Sequence, residues 1–174
     1  MRSILWVFVL SLVFAFGFAP SAKANHLNIV ETAIAANAPG GAYEGQFDTL
    51  IAAVLATDPA VLQTLSGNGK FTVFAPTDDA FAALGLTPEN VGTALDQETL
   101  TQILLYHVAR GNRLAADVTT SKQIRSLQGS FFYPNNSATI TDALGRQSNI
   151  IVTDVLASNG VIHAIDAVLL PFAP

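Results

Sequence analysis

Amphipathic spacing predicts helices in the first part of the chain. Between Phe47 and Leu55, apolar residues fall at i, i+3, i+4, i+7 and i+8, which places them on one face of a helix. A looser pattern of the same period predicts another helix over residues 28–37. Asp58 followed by Pro59 is typical of an N-cap and a first helical position, so a short helix is expected to begin there.

A longer helix is predicted after Asp96, which has the residue type of an N-cap. The apolar residues of this helix share one face with His107 and continue to Val108, and Gly111 ends the pattern. His107 is therefore expected to face the core. Tyr106 lies about 100° around the helix from it, so we expect Tyr106 to be the one of the two that reaches the surface.

Strand-like runs follow, one in the middle of the chain and five near its end. Residues 70–75 are rich in aromatic and β-branched residues, which predicts a buried strand that Pro76 ends. Thr77, Asp78 and Asp79 then place a cap and negative charge at the start of a short helix. Later runs with the same character predict strands over residues 123–127, 130–133, 138–141, 149–157 and 161–170.

The order of these elements predicts the fold class. Asn159 and Gly160 separate the last two apolar runs, which is a strong hairpin signal. Helices first and strands later indicate a single α+β domain with a mainly antiparallel sheet. The breaker-rich residues 38–45 are expected to form a loop within this domain.

The N-terminal residues have the layout of a secretory signal peptide. Arg2 precedes an uncharged apolar run over residues 4–19, and Ala22-Lys23-Ala24 supplies small residues at alternate positions. We predict cleavage after Ala24, with residues 25–174 as the mature domain, secreted or periplasmic. The alternative is an uncleaved membrane anchor, for which the run falls short of the ~20 residues that span a bilayer.

Composition narrows the function classes. The chain has 174 residues, 51% of them apolar, a net charge of −5 and no cysteine, so disulfides, thiolate zinc sites and lipid-modified cysteines are excluded. Without Arg2 and Lys23, six basic and thirteen acidic residues remain, a net charge of −7. This balance argues against nucleic acid as a partner, because phosphates require a basic stripe.

The residues suited to chemistry form no catalytic or metal-binding pattern. The three histidines, His26, His107 and His163, are too far apart in sequence for a ligand pair on one element. His163 and Asp166, with either Ser158 or Ser137, supply the residue types of a hydrolase triad, but no G-x-S-x-G motif accompanies them. We therefore expect neither an enzyme nor a cofactor, and we interpret His163 as a core histidine.

Three segments together resemble the fasciclin (FAS1) domain family. They are FTVFAPTDDAF at residues 71–81, LLYHV at 104–108 and SNGVIHAIDAVLLP at 158–171. They look like the first block, the Tyr-His segment and the second block of that family, in the right order. Thr77, Asp78, His163 and Asp166 lie within the two blocks and are interpreted as structural motif residues.

The resemblance implies a single α+β FAS1 domain, with helices packed around a wedge of strands. It implies an exported adhesion module of the single-domain bacterial type, which contacts a protein, cell-surface or matrix component. In animal relatives adhesion is associated with the Tyr-His segment, so Tyr106 and His107 are the interaction candidates. Because some members bind carotenoids, the alternative is a soluble carrier of an apolar small molecule. Phe172 and residues 131–133 are then candidates to line its groove.

Overall fold

A computed structural model of the protein describes residues 27–172, and the predicted signal peptide lies outside this range. Seven helices occur in the described residues. They are α1 (Ile29–Asn37), α2 (Asp48–Ala56), α3 (Pro59–Ser66), α4 (Asp78–Ala82), α5 (Val91–Ala94), α6 (Gln97–Tyr106) and α7 (Ala115–Thr120). No single helix within residues 27–172 has the length and apolar character needed to cross a bilayer.

The strands form one mixed sheet. They are β1 (Phe71–Pro76), β2 (Val108–Arg110), β3 (Ile124–Arg125), β4 (Phe131–Pro134), β5 (Thr139–Thr141), β6 (Gln147–Ala157) and β7 (Gly160–Ile165). Their order is β2-β1-β7-β6-β5-β4-β3, with β1 and β7 parallel and all other neighbours antiparallel. A bridge between Ala109 and Ser126 joins the two ends of this sheet and curls it into a wedge. The prediction of an α+β domain with a mainly antiparallel sheet is confirmed.

The sheet has a hydrophobic core on each of its faces. Val73 and Ile162 belong to the cluster between the sheet and the helices. Phe74 and Ile165 belong to a second cluster, inside the curl of the sheet. Every residue of β1 and β7 is consequently buried, which explains why these strands are continuous apolar runs and do not alternate.

Two helix starts agree with the predicted caps, whereas the side chain of Thr77 makes no capping hydrogen bond at the start of α4. The side chain of Asp58 accepts a hydrogen bond from Ala60 N, and that of Asp96 accepts one from Thr99 N. Asn28 and Glu31 form a capping box at the start of α1. These short polar side chains satisfy backbone N–H groups that have no partner within the helix.

Two predicted boundaries are wrong for tertiary reasons, and one helix was not predicted. The helix expected to include Val108 ends at Tyr106, because Val108–Arg110 pairs with β1 instead. α7 lies in a stretch for which the sequence predicted no element, since a helix of six residues is too short to show periodicity. The last strand ends at Ile165, and the buried residues that follow donate their backbone N–H groups to side chains.

Gly160 illustrates how tightly the last hairpin packs. The two-residue turn before it is Ser158–Asn159, and Gly160 itself pairs with Ala157 as the first residue of β7. A side chain on Gly160 would collide with the carbonyl oxygen of Phe71 and with the side chain of Ile29. Glycine is therefore required here by the close approach of β1 and α1.

Candidate interaction site

The Tyr-His pair lies at the end of α6, between the two cores. Tyr106 is the last residue of the helix and is 0% exposed, while His107 is the C-cap and is 2% exposed. The expectation that Tyr106 reaches the surface is wrong. The face of α6 that carries Tyr106 is covered by the curled sheet, and the Phe132 ring meets the Tyr106 ring edge-on at 5.9 Å.

The hydroxyl of Tyr106 joins strand β4 to the turn between β5 and β6. It donates a hydrogen bond to the carbonyl oxygen of Phe131 (2.7 Å) and accepts one from the N–H of Ala143 (3.0 Å). Burial of the phenol raises the pKa of Tyr106 to about 12, because the charged phenolate would lose its hydration. Tyr106 is therefore uncharged, and its hydroxyl connects two parts of the curled sheet by hydrogen bonds.

His107 is a core histidine, as predicted. Its Nδ1–H donates to the carbonyl oxygen of Ile103 (2.8 Å), and its Nε2 accepts from the N–H of Leu169 (2.9 Å). The second bond requires an unprotonated Nε2, which fixes the neutral tautomer. Burial lowers the pKa of His107 to about 4, so the ring is uncharged at neutral pH.

His163 has a similar environment in β7. It stacks on Phe74 and donates from Nε2 to the carbonyl oxygen of Arg113 (2.9 Å), while its Nδ1 accepts from the N–H of Asp154 (3.2 Å). Burial lowers the pKa of His163 as well. Neither ring nitrogen contacts a serine or a carboxylate, so the imagined triad is not assembled.

Asp166, the third residue of that imagined triad, has a structural role. Its carboxylate accepts from the backbone and side-chain N–H groups of Asn149 (2.7 and 2.8 Å) and from the hydroxyl of Ser148 (3.2 Å). Desolvation acts to raise the pKa of Asp166, but the hydrogen bonds from Asn149 and Ser148 together lower it below its usual value. Asp166 thus fastens the chain after β7 to the start of β6.

Asp78 caps a helix other than the one that contains it. Thr77 is the N-cap residue of α4, but its side chain makes no capping hydrogen bond. The carboxylate of Asp78 instead accepts from the N–H groups of Asp48 (3.2 Å) and Thr49 (2.8 Å). These are the first two residues of α2, whose own N-cap position is Phe47 and provides no side-chain acceptor.

An apolar cleft opens between α1, α2 and α3, above β1 and the end of α6. We call it the helix cleft; its free volume is about 100 Å³. The residues that line it include no charged side chain, and His107, on its floor, is its one polar residue. At the mouth, Leu55 is 70% exposed and Ile34 is 48% exposed.

The groove predicted from the aromatic residues 131–133 does not form. Phe132 points into the core and is fully buried, whereas Phe131 and Tyr133 point to the opposite, outer face of β4. Successive side chains of a strand point to opposite faces of the sheet, so three consecutive aromatic residues cannot line one groove. The helix cleft is built from aliphatic residues of other elements.

Comparison with known proteins identifies the family. The family model described as the fasciclin domain matches residues 45–171. This chain belongs to the fasciclin (FAS1) domain family.

Two proteins of Synechocystis are similar to the FAS1 domain over most of its length. Protein sll1483 is 44% identical over 72% of this chain and 67% of its own length. Protein sll1735 is 36% identical over 82% of this chain and 97% of its own length.

Larger animal proteins also contain matching segments. Transforming growth factor-beta-induced protein ig-h3 from Sus scrofa is 32% identical over 74% of this chain, which spans only 18% of ig-h3. A solved structure, a FAS1 domain pair from the insect cell adhesion molecule fasciclin I, matches with a TM-score of 0.56 at 21% identity. That match covers 72% of this chain and 45% of the insect chain. At this identity the insect structure shows the fold of this FAS1 domain alone. Fasciclin domains in general are non-enzymatic and occur in secreted or extracellular proteins.

Sequence reasoning missed two polar residues that organise this FAS1 domain. Buried Asp142 accepts hydrogen bonds from the N–H of Leu170 and from the side chain of Arg146 (2.9 Å). Buried Asn159 donates to the carbonyl oxygens of Leu65 and Gly67 and accepts from the N–H of Ile29. Their partners are mostly distant in sequence, so only the Asp142–Arg146 spacing of four residues provided any signal.

The described residues offer no metal centre. Among residues 27–172, no group of three or more histidine and acidic side chains is placed to hold a metal ion. The two described histidines, His107 and His163, are held by hydrogen bonds with backbone groups.

Proposed function

We propose that residues 1–24 direct export and that residues 25–174 act as a non-enzymatic FAS1 interaction domain. The domain binds a protein or matrix component at the cell surface and thereby contributes to adhesion. The family supports this role in general terms, since fasciclin I, whose FAS1 domain pair matches this fold, is a cell adhesion molecule.

The helix cleft is the observation that carries the proposal. Large aliphatic side chains at its mouth are exposed to water, although the interior behind them is apolar and has room to accept further apolar groups. Contiguous exposed apolar surface of this kind marks interaction sites in soluble proteins. A partner that inserts apolar side chains between α1 and α2 would remove Ile34 and Leu55 from water.

Tyr106 and His107 serve this role as positioning residues. Because both side chains are buried, they do not contact a partner directly. His107 forms part of the cleft floor and ties α6 to Leu169, while Tyr106 ties the same helix to the sheet. Substitution of either residue is therefore expected to disturb binding through the shape of the cleft.

Binding of the purified protein to intact host cells and matrix tests the proposal. We expect the double variant Ile34→Gln/Leu55→Gln to lose binding while its melting temperature stays unchanged, because both side chains are already exposed. Leu144→Gln is the matched control, since Leu144 is 46% exposed and does not line the helix cleft. Absence of binding by the unmodified protein, or equal loss in the control, would refute the adhesion role.

The same cleft supports a second candidate function, a soluble carrier of an apolar small molecule such as a carotenoid. Both ring nitrogens of His107 are hydrogen-bonded within the protein, so the floor has no free polar group to offer a ligand. The part of a ligand inside the cleft would consequently have to be hydrocarbon.

Extraction of protein purified from its native host separates the two functions. A carrier would yield a stoichiometric pigment or lipid, with visible absorbance if the ligand is a polyene, and Leu55→Gln would lower its occupancy. Colourless protein without extractable lipid would reject the carrier and leave the adhesion proposal in place.

A further inference from the structure

The charges of the domain are unevenly distributed along the chain. Residues 27–109 contain nine acidic residues and one lysine, whereas residues 110–172 contain five basic and four acidic residues. Among the described residues, the only ion pair joins Arg146 to Asp142. The other four basic residues of the second part, Arg110, Arg113, Lys122 and Arg125, therefore have no acidic partner within residues 27–172.

Two of these cations, Arg110 and Arg125, lie where the two end strands of the sheet, β2 and β3, adjoin. Ala109 and Ser126 form an isolated antiparallel bridge, and Arg110 and Arg125 are the residues next to it on the two adjoining strands. Ala109 and Ser126 are buried, and the two arginines next to them are exposed on the outer face.

Aromatic residues extend this pair across the next strand. Arg125 is paired with Phe131 of β4, and Tyr133 lies two residues further along the same face. Phe131 is 37% exposed and Tyr133 is 47% exposed. We call these four residues, Arg110, Arg125, Phe131 and Tyr133, the basic–aromatic row.

The row is unfavourable for the stability of the isolated domain. Like charges close to one another on neighbouring strands are destabilising. Arg125 Nε donates to the carbonyl oxygen of Gly129, which holds that side chain on the face, while the guanidinium of Arg110 has no hydrogen-bond partner among residues 27–172. Guanidinium groups without an acidic partner beside exposed rings are suited to a ligand that has both negative charge and apolar surface.

We propose that the basic–aromatic row binds an acidic polysaccharide whose sugar residues carry carboxylates. A guanidinium group matches the two oxygens of a carboxylate with parallel hydrogen bonds. The rings of Phe131 and Tyr133, roughly 7 Å apart along the strand, provide apolar faces for the C–H faces of successive sugar rings. Thr141 and Gln147, which continue the row of Tyr133 across β5 and β6, supply hydrogen-bonding groups for sugar hydroxyls.

Charge density favours a uronate polymer over a nucleic acid. Duplex DNA carries a charge about every 1.7 Å, and a protein binds it by neutralising several phosphates at once. The row offers two arginines on a domain whose helical part is strongly acidic. A polymer with one carboxylate per sugar residue can reach these two cations without bringing many further charges close to the acidic helices.

Calorimetric titration of the purified protein with oligogalacturonate tests the assignment. We expect Arg110→Gln/Arg125→Gln to weaken binding about tenfold and to reduce its dependence on salt, because exposed ion pairs are screened. Tyr133→Ala should weaken binding while leaving the salt dependence unchanged. Arg110→Lys/Arg125→Lys keeps the charges but loses the planar guanidinium groups. Its affinity should lie between that of the unmodified protein and that of Arg110→Gln/Arg125→Gln.

A matched control separates the row from the overall charge of the protein. Gln63→Glu/Gln97→Glu changes the net charge by the same two units at exposed positions in α3 and α6, and it should retain nearly all the affinity. Melting curves verify that every variant is folded. No binding by the unmodified protein, equal weakening by this control, or equally tight binding of neutral dextran or duplex DNA would overturn the proposal.

Discussion

Acidification is expected to destabilise the protein through His107 well before most carboxylates are protonated. The buried ring has a pKa of about 4, compared with 6.5 for an exposed histidine. Between these values the unfolded chain binds a proton that the folded protein does not, so the free energy of unfolding falls as the pH is lowered. A difference of about 2.5 pKa units corresponds to about 3 kcal/mol, all of it lost between pH 6.5 and pH 4.

The hydrogen bonds of His107 explain why the folded protein resists this proton. Protonated Nε2 would point an N–H at the N–H of Leu169, which now donates to it at 2.9 Å. The bond from Nδ1–H to Ile103 survives protonation and favours the charged ring, but desolvation outweighs it. Protonation therefore separates the end of α6 from the chain segment that follows β7.

Urea denaturation at several pH values between 7 and 4 measures the effect. His163 has a lowered pKa and contributes with the same sign, so the unmodified protein must be compared with His107→Asn, which cannot titrate. The difference in unfolding free energy between the two proteins should change by about 3 kcal/mol over this range. At pH 7 the variant should itself be about 1–3 kcal/mol less stable, because it weakens buried hydrogen bonds.

Direct titration of the ring by NMR provides the decisive comparison. A His107 pKa close to 6.5 in the folded protein, or an unfolding free energy difference that does not vary with pH, would show that the ring is not held neutral by its surroundings. The positioning role assigned to it would then be wrong.

The remaining predictions concern local structure and binding. Asp78→Ala should cost about 0.5–2 kcal/mol in thermal unfolding because it uncaps α2, whereas exposed Asp79→Ala should have little effect; equal effects would contradict the capping role. Gly160→Ala should lower the melting temperature far more than Ser158→Ala, since the new methyl group meets backbone, and a mild effect would show that β1 can shift. Ile34→Gln/Leu55→Gln should abolish cell or matrix binding without unfolding the domain, and Arg110→Gln/Arg125→Gln should weaken oligogalacturonate binding about tenfold.

Local signals in the sequence were sufficient for several elements. Asp58, Asp96 and the apolar periodicity of α2 act through neighbours within one or two turns, so the sequence carried the information directly. The burial of β1 and β7 could also be predicted from the sequence. A strand covered on both faces has no position that tolerates a polar side chain unless that side chain is satisfied, as it is at Thr72 and His163.

The candidate site was less accessible to sequence reasoning. Helical geometry alone placed Tyr106 on a different face from His107, which suggested exposure. It could not indicate that the curled sheet covers that face too. The helix cleft could not be predicted because the residues that line it come from six separate elements, and the apolar residues on α1 and α2 are typical of core positions.

The sequence alone determined the class of the domain, the caps Asp58 and Asp96, most of the strands and the family to which the chain belongs, because these depend on local spacing and on continuous motifs. The tertiary structure alone decided which apolar residues remain exposed at the helix cleft and which cations lie on adjoining strands of the sheet. The tertiary structure also decided the hydrogen-bond partners of Asp78 and Asn159, which lie about 30 and 90–130 positions away in the sequence. Such pairs are set by strand register and helix packing, which no short window of sequence contains.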